Sequence, residues 1–510
     1  MAKTKQRRYT ARVVVKATPE LRPEEVFAAS STPSVASRSP VARWLYPASI
    51  WLCVIICICH VLSLTLVINF DGNWYVQLAD MLGTKRFPGE WDFLRTPLFP
   101  AMLKIVFGVM GRQALSVIGL QTALACAGIW LLGRFLRRIG RPIEASIGVV
   151  LVSAYPTLIA YEHALLTEVG SFLFLTLLVY ALVTLEPMNV SSSIIVALAI
   201  SAGYYFRSSL LYLAPLAAGI CALKVLKPSQ ENGGGVKPSR LRRAGAVLLI
   251  TGAVPFILAY PWQRYPKVSE RNGHVLLFGL VKQDVLPPDD PILSPSTAAA
   301  YDVAVGRSLS NEKLPYTGIQ NGREWSVIGP IYHYGSTAGS IFLRVIRTHP
   351  RRYLDGVERN LILYSGFGGF ANDNAILRNQ VLYSYGRKID PGPEWFPPLG
   401  VEFQRNTVSS ITSRLLLALS PVYDWLVLFA FVATVLTGIL AIWRLDTTLM
   451  AFTLLPLAFI LLHAILLMSQ DRMALPTYPI LLINLVMFPA RVNAAMRRGA
   501  LATRSSDVPI

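Results

Sequence analysis

Residues Asp71–Pro100 read DGNWYVQLADMLGTKRFPGEWDFLRTPLFP, the most polar and Pro-rich stretch lying directly between two long apolar runs. On a helix, Asp71, Tyr75 and Ala79 recur in steps of about four residues and so share one face. Asp71 sits where the first apolar run, ending at Phe70, meets water. A carboxylate there is partly desolvated yet open to a polar substrate, which suits a general base. The same position, just ahead of a helical pattern, also suits a helix N-cap. Both readings stay open from the spacing.

What flanks this stretch sets the class. Hydrophobic residues make up 53% of the 510-residue chain and charged residues only 15%, which is not the composition of a soluble domain. The reading is mainly α: a polytopic membrane protein. The net charge of +19 comes from Lys and Arg gathered in short segments between apolar runs. Orientation in the membrane and contact with anionic lipid account for that pattern, so no nucleic-acid partner is expected. Cys53, Cys57, Cys59, Cys126 and Cys221 all fall inside apolar runs, without the spacing of a disulfide framework or a zinc site, and read as small buried hydrophobes.

Residues 1–46 form a polar, basic tail with no periodic apolar face, expected to be disordered and cytoplasmic. The run Pro47 to Phe70 is too long for a cleaved signal peptide and is expected to be a first span, which puts the loop 71–111 outside. Further spans are expected at Arg112–Leu132, Glu144–Tyr161, Glu168–Leu185, Ser191–Phe206, Ser208–Leu223 and Ala244–Trp262. Basic segments around Arg134–Arg141 and Lys224–Arg243 fall between them on the inner side. Residues 263–414 then make a large mixed outer loop or domain, in which Gly339–Pro350 and Tyr353–Tyr364 read as amphipathic helices able to lie on the membrane surface. Residues 415–490 carry the last spans, Leu415–Trp443, Thr448–Met468 and Met473–Pro489, and 491–510 are a basic inner tail. The total is about ten transmembrane helices with both termini inside.

That topology gathers scattered polar residues on one face: Asp71 and Arg95 in the first outer loop, His163 and Glu168 at the second, Arg207 at the third, and Asp471 with Arg472 at the fourth. Ionisable groups at membrane depth are costly and tend to mark function. Each has a plain alternative. Arg207 and Arg472 can snorkel at span ends, His163 can be a packed interfacial histidine, and Glu168 can sit on a helix dipole.

Asp71 with Tyr75 and Ala79, followed by Arg95-Thr-Pro-Leu-Phe-Pro100, resembles the first outer loop of the GT-C glycosyltransferases. Within these, the chain is most similar to the protein O-mannosyltransferase and lipid A aminoarabinose transferase group. Leu165–Glu168, Tyr204–Leu211 with Arg207, His349–Leu354 and Arg472–Pro479 resemble later elements of that group in order. Where many relatives have two adjacent acidic residues, Gly72 follows Asp71 here, so a second catalytic carboxylate would come from Glu168. The resemblance implies a GT-C-like architecture and a polyprenyl-phosphate-sugar donor, with a glycolipid, glycan or protein acceptor. It also implies a multi-pass location in a bacterial inner membrane, with the active site on the periplasmic side.

The chemistry of such a transfer assigns roles. Asp71 would take the acceptor proton, while Arg207, Arg472 and Arg95 would hold the donor phosphate and Tyr75 and His163 would bind substrate. No cofactor is required. A divalent metal is not supported, since Asp289-Asp290 lies between prolines without partner carboxylates. The rival readings are a transporter or flippase of a lipid-linked or anionic substrate, which would place charges near the bilayer midplane, and an inactive GT-C-like assembly partner.

Overall fold

In lipid an apolar chain satisfies its backbone by coiling into helices. The computed structural model describes residues 40–67, 70–87, 95–186, 188–227, 238–264, 276, 279–280, 285, 338–366, 410–467 and 471–491. Among them every extended element is helical, and the only β-pairing is an isolated parallel bridge between Val67 and Ala164. The N-terminal tail before Pro40, the Asp289-Asp290 pair, most of the expected outer domain and the C-terminal tail beyond Arg491 lie outside the described residues.

The helices in chain order are α1 Pro40–Ser63, α2 Phe70–Met81, α3 Leu98–Met110, α4 Ala114–Arg138, α5 Pro142–Ser153, α6 Pro156–Glu162, α7 Glu168–Thr184 and α8 Val190–Phe206. A short 3-10 turn, Ser208–Leu213, leads into α9 Ala214–Leu226, and α10 spans Pro238–Gln263. Then come α11 Ala338–Thr348, α12 Pro350–Tyr364, α13 Ser410–Trp443 and α14 Thr447–Ile465. The 3-10 turns Asp471–Met473 and Leu475–Thr477 precede α15, residues 478–491.

Among the described residues, six helical stretches can cross a membrane by length and composition, or seven if α5 and α6 count as one bent span, with α3, α7 and α8 shorter but apolar. The expected figure of about ten is therefore not reached by that criterion. Other expectations are corrected in detail. The span expected to run unbroken from Glu144 to Tyr161 bends by 56° between α5 and α6. The break falls at Ala154-Tyr155, before Pro156, whose ring cannot continue the incoming helix but is well suited to start a new one. Asp71 lies inside the first turn of α2 and does not precede it as a cap. The final helix starts at residue 478, after two 3-10 turns, and not at Met473. Only Cys53 and Cys221 are buried, while Cys59 and Cys126 are exposed and the Cys57 and Cys126 sulfurs approach to 3.7 Å.

α7 is the central helix. It packs against α4, α8, α14 and the Leu475–Thr477 turn, and its buried residues run from Glu168 to Leu182. Glycines permit the closest approaches. Gly128 on α4 lies against the Phe172 ring, and a methyl group at Gly170 would overlap the Phe206 ring at the end of α8.

Alternating helix directions sort the polar groups to two ends. At one end Arg137 lies 4.6 Å from the Tyr46 ring, Lys224 pairs with Glu186 at 3.4 Å and Arg491 donates to Asn484 at 2.9 Å. At the other, the ends of α1, α6, α8 and α14 meet the starts of α2 and α7. There Val67 N donates to His163 O at 2.7 Å, and Leu165 N donates back to Val67 O.

Candidate functional site

Glu168 opens α7 and is only 3% exposed. Its Oε1 lies 3.5 Å from Arg207 Nη1 and 3.8 Å from Arg472 Nε, so two cations from distant parts of the chain share one carboxylate oxygen. The guanidiniums are themselves mostly covered, at 11% and 15% side-chain exposure, low enough that water screens the group weakly. Glu168 Oε2 and Arg207 Nη1 are buried without a hydrogen bond. Among the described side chains, two guanidiniums meet one carboxylate here, in a site that still has unmet hydrogen-bonding capacity. That is the electrostatic character of an anion site.

Local structure explains how these groups come together. Arg207 is the residue at which α8 ends, in extended backbone, before the 3-10 turn begins. Its Nη2 lies 2.6 Å from the sulfur of Met473, the neighbour of Arg472. Gln121 on α4 donates from Nε2 to the carbonyls of Ala164 at 3.1 Å and Leu166 at 2.6 Å, fixing the loop that delivers Glu168. His463, buried near the end of α14, is within electrostatic reach of Arg207 and has its Nδ1 2.7 Å from Phe459 O.

The first loop reaches this group through stacked rings. Arg95 lies 5.7 Å from the centre of Trp74 and 5.5 Å from that of Tyr75, holding the end of the loop against α2. Tyr75 meets Phe99 edge-on at 5.1 Å, and Phe99 meets Phe206 at 5.4 Å, one residue before Arg207. These contacts link Arg95 and Tyr75 to Phe206, the residue before Arg207. Asp71 is carried on the same α2 as Tyr75, one helical turn earlier, with its side chain outside the described residues, as is that of Asp471.

His163 falls elsewhere. It is fully buried, its Nε2 lies 3.0 Å from His60 Nδ1, and Glu162 Oε2 lies 3.6 Å from His60 Nε2. His60 near the end of α1, Glu162 at the end of α6 and His163 form a separate polar core beneath the loop that leads to Glu168. His60, Glu162 and His463 were not singled out in the sequence. The adjacent pair Glu162-His163 inside an apolar run was the signal that could have found the second cluster. Among the described residues no three His, Cys, Asp or Glu converge as metal ligands.

Fold and site together define a polytopic helical protein with a buried cluster of two arginines on one glutamate at one end of the bundle. No family model and no curated protein matches the chain. Among solved structures it is similar to the archaeal oligosaccharyltransferase AglB from Archaeoglobus fulgidus, in complex with an inhibitory peptide and a dolichol-phosphate. Identity is 12% and the TM-score 0.41 over 92% of this chain, which spans only 53% of that protein. It is also similar to ArnT from Cupriavidus metallidurans, bound to undecaprenyl phosphate, at 13% identity and a TM-score of 0.33 over 88% of this chain and 78% of that one.

Proposed function

We propose that the chain is an integral-membrane inverting glycosyltransferase. It moves a monosaccharide from a polyprenyl-phosphate carrier to an acceptor hydroxyl or phosphate on a glycolipid, glycan or protein at the outer face of the membrane. The observation that carries this reading is the convergence of Arg207 and Arg472 on Glu168. In the transfer, the acceptor oxygen bonds to the anomeric carbon while the bond from that carbon to the phosphate oxygen breaks. The electron pair leaves with the prenyl phosphate, and the acceptor proton passes to the Asp71 carboxylate. Arg207 and Arg472 stabilise the charge that grows on the phosphate, and guanidinium forks match its geometry. Glu168 acts as the anchor that sets both guanidiniums, and Arg95 extends the cationic lining toward α2. Tyr75 orients substrate from the same helix face as Asp71. His163, closed off by His60, serves by holding the loop. The position of this cluster at one end of the bundle favours transfer over a transport pathway, which needs charges along the membrane depth.

The experiment is a transfer assay in purified membranes with a prenyl-phosphate-sugar donor. Lysine at position 207 or 472 keeps the charge and loses the fork, so each variant should fall by about tenfold or more. The double alanine variant should be scarcely worse than the poorer single one, because both residues act on one leaving group. Asp71→Asn should lose about 100-fold. Wild-type rates in both lysine variants would remove the shared phosphate site.

A further inference from the structure

Helices α11 and α12 present a surface that sugar transfer does not use. α12 is fixed at a definite level of the bundle. Tyr353 Oη donates to the carbonyl of Ile465 at 2.9 Å, and Asn360 Nδ2 donates to that of Ala464 at 3.5 Å. Those carbonyls belong to the last turn of α14 and its end, and Ala464 O also accepts from Leu467 N at 3.0 Å. Because α14 is apolar enough to cross a membrane and ends at Ile465, α12 lies where that span leaves the hydrocarbon. α11 is packed onto it, with Phe342 edge-on to Tyr353 at 6.1 Å and Val345 fully buried.

Away from this packing, the exposed residues alternate in kind. Leu343 is 53% exposed and Leu354 61%, and they stand among exposed Arg344, Arg347, Arg351 and Arg352. Asp355 and Glu358 are exposed beside them among the described residues. Large apolar side chains left open among arginines, at interface depth, form the pattern of a helix seated in lipid headgroups. Leucine enters the acyl boundary there, while guanidinium groups reach the phosphates above it.

We propose that α11 and α12 together form a docking surface for anionic phospholipid headgroups, at the same end of the bundle as Glu168. Arg344, Arg347, Arg351 and Arg352 contact lipid phosphates, and Leu343 and Leu354 enter the upper acyl layer. The surface stands independently of the transfer reading, since it uses none of the residues assigned to that reaction.

The test is photo-crosslinking of the full chain, carrying Leu354→benzoylphenylalanine, in vesicles of phosphatidylcholine with 30% phosphatidylglycerol, each lipid labelled in turn. The expected result is a lipid adduct that favours phosphatidylglycerol by about fivefold or more, mole for mole. The preference should vanish when the four arginines become glutamine and persist when they become lysine, which separates lost charge from lost folding. Equal labelling by the two lipids overturns the proposal. So does an adduct confined to the protein, which would mean that other segments of this chain cover the surface.

Discussion

At Glu168 a single oxygen faces two guanidiniums, so its charge matters more than its shape. Glu168→Gln keeps the size and leaves two covered cations facing each other without the anion between them. Breaking a buried pair in this way costs about 3 kcal/mol or more, so the purified variant should melt several degrees lower and lose transfer. Glu168→Asp should recover part of the melting temperature. Paired melting curves for the two variants decide whether the carboxylate is an anchor for the arginines or a bystander. Glu168, Arg207 and Arg472 were legible in the sequence because each is a lone ionisable residue at the edge of an apolar run, where its cost demands a reason. Their mutual contact was only implied by topology. His60 and Glu162 escaped notice because each has meaning only through the other, and the chain brings them together across about a hundred residues of sequence.

Between elements, the decisive fit is that of α7 against the end of α8. Gly170 stands two residues after Glu168 and Phe206 one residue before Arg207, so the space for a ring at glycine sets the ion pair beside it. Gly170→Ala should force Phe206 aside, at about 1–3 kcal/mol of overpacking, and lower transfer more than it lowers the melting temperature. Phe206→Leu in the same chain should restore activity in part, because the smaller side chain returns the space. Failure of that second change to help would detach the aromatic row from the site. Nothing in the sequence marked Gly170 out, since a glycine within an apolar run looks the same whether it touches a ring or lipid. The bend at Ala154-Tyr155 was hidden for a related reason. A proline that starts a helix and one that kinks a span have the same neighbours in sequence, and only packing tells them apart.

For the molecule as a whole, the sequence supported the helical membrane class, because hydropathy reports directly on lipid and water. It did not support a reliable span count, as short apolar helices such as α3, α7 and α8 read the same as full crossings. The sidedness makes an expectation of its own. A membrane-impermeant maleimide applied to intact cells should label Asn73→Cys and Gly318→Cys and leave Gly234→Cys untouched, and labelling at position 234 would invert the assignment. The two guanidiniums on Glu168 also bear on turnover. In the proposed transfer a carrier would arrive as a phosphodiester with one negative charge and depart as a monoester with up to two, so Arg207 and Arg472 would grip what is left after reaction more firmly than what they received. Escape of the spent carrier would then set the pace, and each cycle would wait on whatever clears that lipid from the membrane.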